Sequence, residues 1–194
     1  MLIWFPKAED LYKYLRTIGD PPNNFDPEQP IDNTWHVDQH EVTLGPDEDG
    51  LFDRAVEKLL KYHFYPPSFL DFAGDFQNER RPLRYGDRIV QQITVIPDIL
   101  EVITMNRVTA TIAESNRIGF TYTTTEYHLE IGEWTAVVIR KRDNQVVLAM
   151  HAISKPGPKM PLWAMPFSRA LQLRAHRLGL EHFKLIVQNP NLIY

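Results

Sequence analysis

The feature that most constrains the fold is a run of five segments between residues 87 and 153 that share the composition of β-strands. Each is rich in valine, isoleucine, threonine or aromatic residues, which fit a pleated and half-buried surface. The links between them are short, and short links join antiparallel strands because a parallel pair needs a long crossover. The sequence therefore predicts an antiparallel meander. Its strands are 87–96, 100–113, 118–125, 135–141 and 146–153.

Helical segments flank this meander. A strand at 35–44 and an amphipathic helix at 51–64 precede it, and a long helix at 166–188 follows it. Residues 68–85 are ambiguous and fit either a short helix or a lid. Apolar residues cover two sides of the last helix, so we expect the rest of the protein to enclose it. This order predicts an α+β fold in which a curved antiparallel sheet grips a C-terminal α-helix, with the space between them either filled or holding a ligand.

The first 34 residues have a different pattern. A short helix at 7–18 ends in the breaker cluster GDPPNN, and a proline-containing loop follows. We predict an N-terminal accessory segment at 1–34 and a main domain at 35–194. Trp4 and Phe5 are candidates for docking a partner or a second copy of the chain, so a homo-oligomer is left open.

Composition excludes several classes of function. The net charge of −4 and the pI near 6.0 argue against nucleic-acid binding, which favours a basic surface. No apolar run is long enough to span a membrane, and the absence of cysteine removes disulfides, thiol catalysis and cysteine-bound zinc. Neither a phosphate-binding glycine loop nor a G-x-S-x-G elbow occurs. These features predict a cytoplasmic protein.

The joint between the third and fourth predicted strands is too long and too charged for a simple hairpin turn. Tyr122, His128, Glu130 and Glu133 lie in or beside it. Carboxylates and an imidazole close together can perform acid–base catalysis, with Tyr122, His128 and Glu133 as the candidate catalytic residues. The alternative is that His128 and Glu133 satisfy backbone groups of an irregular turn. We favour the second interpretation, in which the joint is a structured loop at the rim of a pocket.

The spacing His36-x-Asp38-x-His40 places three potential metal ligands on one face of a strand. Such a set suits zinc or iron. However, Val42 and Leu44 continue the same face and suggest that it points into the core. We therefore predict no metal and no other cofactor.

Polar residues within the apolar arc of the last helix indicate a ligand cavity, because a cavity needs a few polar groups in apolar walls. Gln172, His176 and His182 are such residues, although for any single one we favour the alternative of a side chain satisfied by a backbone carbonyl or lying at the exposed edge of the helix. Trp163, Met165 and Phe167 are candidates for a lipophilic wall or for ordinary core. The predicted ligand-binding residues are Asp38, Trp134, Met150, His151, Gln172 and His176.

Several blocks of the sequence resemble a family of unknown function found in bacteria and plants. Its central signature resembles G-F-x-Y-G-T-L-x-x-H-x-x-x-G-E-E, and the run GFTYTTTEYHLEIGE at 119–133 matches it most specifically. The blocks VDQHEVTLG, FDRA, NRV and AISKP carry the rest, over roughly residues 36–180. Thr123, Leu129 and Trp134 depart from the family's glycine, proline and second glutamate. The family is similar to the START and birch-pollen-allergen superfamily, which implies a helix-grip fold.

Three hypotheses for function follow. The first is a module that binds a small hydrophobic or amphipathic molecule between sheet and helix. The second is a cyclase- or hydrolase-like enzyme that uses Tyr122, His128 and Glu133 at the cavity mouth. The third is a protein-interaction module with a filled core. We favour the first, on the basis of the expected enclosure of the C-terminal helix and of the likeness to the helix-grip superfamily.

Overall fold

The computed structural model describes residues 2–3, 11–161 and 164–192. Trp4, Phe5 and Trp163 lie outside these residues. None of the helices in this described part is both long and apolar enough to cross a membrane. The elements in chain order are β1 (Leu2–Ile3), α1 (Leu11–Thr17), β2 (His36–Pro46), α2 (Leu51–Leu60), β3 (Leu70–Gly74), α3 (Asp75–Asn78), β4 (Arg88–Ile96), β5 (Leu100–Glu114), β6 (Arg117–Thr124), β7 (Glu130–Arg140), β8 (Gln145–Pro156) and α4 (Met165–Gln188).

One curved antiparallel sheet and the C-terminal helix α4 form the framework of the fold. The strand order is β2-β8-β7-β6-β5-β4-β3, and the two residues of β1 pair with β5 beside this path. Strands β4 to β8 are consecutive neighbours and all pair antiparallel. The predicted meander and the predicted α+β fold are therefore confirmed.

Helix α2 ends at Leu60 rather than at the predicted residue 64, and two further differences lie closer to the cavity. Strand β7 begins at Glu130 rather than at residue 135, and its first residues pair with β8 as far as Glu130↔Pro156. Glutamate and glycine are poor strand formers, so the backbone pairing with β8, rather than local propensity, extends the strand. The ambiguous region 68–85 contains strand β3 and the short helix α3, with β3 pairing along β4 at one edge of the sheet.

Helices α2 and α4 cover the concave face of the sheet. The second half of α4 is tightly packed, with Phe183, Ile186 and Val187 almost completely buried. Other positions of the same helix are open, since Leu173 and Leu185 are 44% and 49% exposed. The expected full enclosure of α4 is therefore wrong. The helix packs against β2, β8 and α2, and these neighbours leave Leu173 and Leu185 partly in solvent.

The N-terminal segment packs on the opposite, convex face of the sheet. Leu11 and Leu15 of α1 are buried in a small apolar cluster with residues of β3, β4 and β5. Two arginines of the sheet bind the following loop: Arg88 donates to the Gly19 carbonyl at 2.5 Å and Arg107 to the Pro21 carbonyl at 2.7 Å. The loop is thereby held at the end of β6, next to the unusual joint. In the small apolar cluster, the residues that pack against Leu11 and Leu15 are Ala73, Val90, Ile103 and Met105.

Candidate ligand-binding site

A cavity of about 570 Å³ lies between the sheet and the first half of α4. Its walls are mostly apolar, with aliphatic side chains from β4 and β5 facing Leu171 and Ala175 of the helix. Ile96 and Phe167 border the cavity and are 45% and 69% exposed, so the mouth lies between the end of β4 and the start of α4. The volume falls within the range of small-molecule sites, roughly 300–1,000 Å³.

Two stacked aromatic rings form part of the cavity wall. The rings of Tyr122 and Trp134 are nearly parallel, with centroids 5.0 Å apart and planes 18° apart. They face inward from neighbouring strands because Tyr122 pairs with Trp134 in the β6–β7 ladder. Trp134 also receives the edge of Phe64, at 5.1 Å between centroids. Its buried indole Nε1–H has no hydrogen-bond partner in the described residues, which is unusual for an indole in a protein interior.

The hydroxyl of Tyr122 belongs to a buried polar network. It hydrogen-bonds with Tyr62, Tyr65 and Gln91, and burial raises its pKa to about 12. Gln91 also donates to the Tyr62 hydroxyl and accepts from the Asn106 amide, in the second case at 2.8 Å. Tyr122 therefore stays protonated at neutral pH and can act as a hydrogen-bonding group, but not as a base.

The joint between β6 and β7 is a loop of five residues, 125–129, held by side-chain hydrogen bonds and by backbone hydrogen bonds to the N-terminal segment and to Met105. The ladder stops at Thr123↔Glu133. Beyond it, the Thr124 hydroxyl accepts the Gly132 N–H at 2.8 Å and donates to Asn24 Oδ1 at 2.5 Å. The Asn24 amide in turn donates to the Glu130 carbonyl at 3.1 Å. The N-terminal segment thus fastens the joint.

Glycine at position 132 is required by the close approach of β8. A Cβ atom there would lie 2.1 Å from the carbonyl oxygen of Ile153, which is far inside van der Waals contact. Gly132 therefore lets β7 and β8 pair closely along the cavity wall. It belongs to strand β7, and the loop at 125–129 ends before it.

His128 has the structural role that the sequence favoured. Its Nδ1 accepts the Glu130 backbone N–H at 3.0 Å, and burial lowers its pKa to about 4. The ring is therefore neutral at pH 7. Because Nδ1 is an acceptor, Nε2 carries the proton. His128 also lines the cavity, where this N–H is a donor available to a ligand.

Glu130 is the acidic group of the cavity wall. Burial raises its pKa to about 7, which the positive charge of Arg169 partly opposes. Glu133 also borders the cavity, and burial raises its pKa too. Since residues alternate along a strand, the side chain of Glu133 points to the face opposite that of its neighbour Trp134. In the described residues, no hydrogen bond joins Glu133 to Tyr122 or His128.

A chain of charged and polar groups links the start of α4 to β2 beside the cavity. Arg169 donates to both carboxylate oxygens of Asp38, at 2.6 Å each. It also donates to Gln172 Oε1 at 2.7 Å, and the Gln172 amide donates to Ser154 Oγ at 2.5 Å. Hydrogen bonds from Arg169 are the main cause of the lowered pKa of Asp38. The predicted residues Asp38 and Gln172 therefore belong to one network, of which Gln172 and Ser154 line the cavity.

His176 lies one helical turn beyond Gln172 and also lines the cavity. It is only 4% exposed, and burial lowers its pKa to about 4. Its Nδ1 atom is 3.9 Å from Asp38 Oδ2, too far for a hydrogen bond, and its ring contacts that of His40 with centroids 5.5 Å apart. Neither His176 Nδ1 nor His40 Nε2 has a hydrogen-bond partner in the described chain, although both atoms are buried.

Three of the predicted ligand-binding residues do not line this cavity. Asp38 is connected to its wall only through Arg169 and Gln172, and Met150 and His151 lie away from it. Met150 is buried in the core on the inner face of β8, and it is not among the residues that line the cavity. His151 alternates with it and therefore lies on the outer face, between Gln39 and Thr135 in the sheet register. Sequence reasoning missed Arg169 and Ser154. The signal for Arg169 was its helical spacing with Gln172 and His176, which puts the three on one side of α4.

An antiparallel sheet that curves around a long C-terminal helix defines the helix-grip class of proteins. Within this class, the chain belongs to the family described as "Domain of unknown function (DUF1990)", whose profile matches residues 21–181. This match confirms the resemblance carried by the signature at 119–133. No curated protein matches the sequence.

Solved structures also resemble this fold. A hypothetical protein from Helicobacter pylori has a TM-score of 0.57 and 10% identity, covering 84% of this chain and 92% of that one. The structure of Ara h 8.0201 has a TM-score of 0.49 and 13% identity, covering 79% and 97% of the two chains. A conserved protein of unknown function from Enterococcus faecalis has a TM-score of 0.48 and 15% identity, covering 96% and 86%. At 10% identity, the likeness to the Helicobacter pylori protein shows a shared fold and nothing more.

Proposed function

We propose that this protein binds one small hydrophobic or amphipathic molecule in the cavity between the sheet and α4. The observation that carries the proposal is the cavity itself: about 570 Å³, lined mostly by apolar atoms and open at the mouth between Ile96 and Phe167. Protein interiors are close-packed, so a space of this size is unusual unless it has an occupant. The filled core expected of an interaction module is not what the described residues form.

The polar groups of the wall support an amphipathic ligand rather than a plain hydrocarbon. The Trp134 Nε1–H lacks a hydrogen-bond partner among the described residues, and the neutral ring of His128 offers a second N–H. Gln172 and Ser154 also line the cavity. In this account the apolar body of the ligand packs on the rings of Tyr122 and Trp134, and an oxygen of its polar end accepts from the unpaired N–H groups.

Native mass spectrometry of gently purified protein tests this proposal. A stoichiometric co-purified compound, identified in a solvent extract, would support the binding function and give the ligand's chemical class. Stripped protein should rebind the extracted compound and become more stable against heat, because a ligand that binds only the folded state stabilises it. A clean apo mass, together with no thermal shift across a panel of lipids and amphipathic metabolites, would contradict the proposal.

The position of Glu130 favours a second candidate, an enzyme. Its carboxyl group lines the cavity, and burial raises its pKa to about 7, close to the pH at which a general acid or base is most effective. Glu130, rather than Glu133, would then exchange the proton, and His128 Nε2–H would hold the substrate. If the extracted compound changes mass on incubation with the protein but not with Glu130→Gln, the cavity is a reaction site. If the mass of the compound stays unchanged with both proteins, the cavity binds the compound without converting it.

A further inference from the structure

We infer that Asp38, His40 and His176 form a binding site for one divalent transition-metal ion, most simply Zn²⁺, between strand β2 and helix α4. One potential ligand atom from each residue lies within 4.8 Å of the other two. Two imidazole nitrogens and a carboxylate oxygen form a donor set that zinc accepts, with a water or another ligand in the remaining position.

Two unsatisfied nitrogen atoms carry this inference. His176 Nδ1 and His40 Nε2 are both buried, and neither has a hydrogen-bond partner in the described residues. His176 as a whole is 4% exposed. Buried polar atoms without partners are rare, and a bound ion is one of their recognised causes. A cation bound between the two nitrogen atoms and the buried carboxylate of Asp38 would give both nitrogen atoms a partner.

The distances are compatible with closure around a metal. Asp38 Oδ2 and His176 Nδ1 are already 3.9 Å apart. Zinc bonds to nitrogen and oxygen are about 2.0–2.2 Å long, so two ligands of one ion lie at most about 4 Å apart. The widest separation, 4.8 Å, requires side-chain shifts of about 1 Å. Small rotations of His40 and His176 suffice, since their rings already contact each other.

The surroundings resemble the outer shell of a metal site. Arg169 holds both oxygens of Asp38, and Gln172 and Ser154 extend that network. Outer groups of this kind orient ligating side chains. The positive charge of Arg169 opposes a cation, but the negative charge of Asp38 compensates that of Arg169. Glu130 also interacts electrostatically with Arg169 and Asp38. His36, two residues before Asp38, is not part of the cluster.

The test uses untagged, chelator-treated full-length protein loaded with ZnCl₂ and desalted. Metal analysis should give one zinc per chain. His40→Gln and His176→Gln should each weaken binding at least tenfold by titration, whereas the matched control His36→Gln should bind as the wild type does. Circular dichroism in EDTA verifies that each variant is folded.

X-ray absorption of the zinc-loaded wild type tests the site without any variant. A first shell with two imidazoles and oxygen supports the site. The inference is overturned if the wild type retains no stoichiometric zinc, if the absorption spectrum shows fewer than two imidazoles, or if His36→Gln weakens binding as much as His40→Gln. None of these outcomes depends on whether an organic ligand occupies the cavity.

Discussion

Arg169 and Asp38 are 131 residues apart in the sequence, yet the guanidinium of Arg169 donates to both oxygens of the Asp38 carboxylate at 2.6 Å. The pair joins the start of α4 to the edge strand β2, beside the cavity. Because Asp38 is 8% exposed, its charge has little access to water and depends on Arg169. The fold therefore fixes the position of the helix over the cavity by a polar link as well as by apolar packing.

Removal of Arg169 should leave a buried carboxylate without its partner. We expect Arg169→Met to lower the free energy of unfolding by about 1–3 kcal/mol, measured by urea denaturation in EDTA. The double variant Arg169→Met, Asp38→Asn should recover part of this loss, since it removes the unpaired charge. A double variant whose loss equals the sum of the single losses would show that the two groups are not coupled.

The helix α4 approaches Phe64 most closely at Gly179. A Cβ atom there would lie 2.1 Å from Phe64 Cε1, and Phe64 is fully buried and cannot move aside. We expect Gly179→Ala to destabilise the protein by about 1–3 kcal/mol through overpacking, although alanine is the better helix former. Adding Phe64→Leu should relieve the clash, so the double variant should be less destabilised than the two single losses predict. Simple additivity in thermal unfolding would contradict this account.

The joint depends on the Thr124 hydroxyl, which accepts from Gly132 and donates to Asn24. Thr124→Val keeps the shape of the side chain and removes both bonds. We expect a loss of about 1–3 kcal/mol in unfolding free energy and faster hydrogen exchange in residues 125–129. Thr111→Val, at an exposed position on β5, is the matched control and should change stability by no more than about 0.5 kcal/mol. Equal effects of the two substitutions would refute the role of the hydroxyl.

Glu130 makes stability depend on pH. Its pKa is raised from 4.5 to about 7 by burial, so the folded state binds its proton more tightly than the unfolded state does. The contribution of this residue to stability is therefore greatest below pH 4.5 and is lost as the pH rises to 7. Relative to Glu130→Gln, the wild type should lose stability between pH 4.5 and 7.

The comparison with Glu130→Gln isolates this residue, because the lowered pKa of His128 acts in the opposite direction over much of the same range. Urea midpoints measured at half-unit pH steps provide the test. A constant difference between wild type and variant over this window would mean that Glu130 is solvated like an ordinary surface carboxylate.

The meander could be predicted from sequence because strand composition and short links are local features. The first residues of β7 could not, since Glu130, Gly132 and Glu133 are weak strand formers held by pairing with β8. Trp134 was identified as a ligand-binding candidate, and it lines the cavity. His151 was assigned to the same set, but the alternation of β8 places it on the other face.

The candidate site, too, could be predicted only in part from the sequence. Asp38, Gln172 and His176 could each be singled out, because polar residues on apolar faces are conspicuous. Their joint arrangement could not be predicted, because Arg169 and Ser154 meet them only after the sheet curves around the helix. The partner of a charged side chain is set by tertiary contact, and no local pattern encodes it.

If the cavity binds a ligand, a side chain that fills the cavity should block that binding. Ala175 lines the cavity from α4, whereas Leu185 of the same helix is exposed. We would titrate ligand-free wild type, Ala175→Phe and Leu185→Phe with the amphipathic fluorophore 1-anilinonaphthalene-8-sulfonate. One saturable site in wild type and in Leu185→Phe, weakened at least tenfold in Ala175→Phe with the fold intact, is the predicted result. No saturable binding to the wild type, or equal binding by all three proteins, would contradict the account.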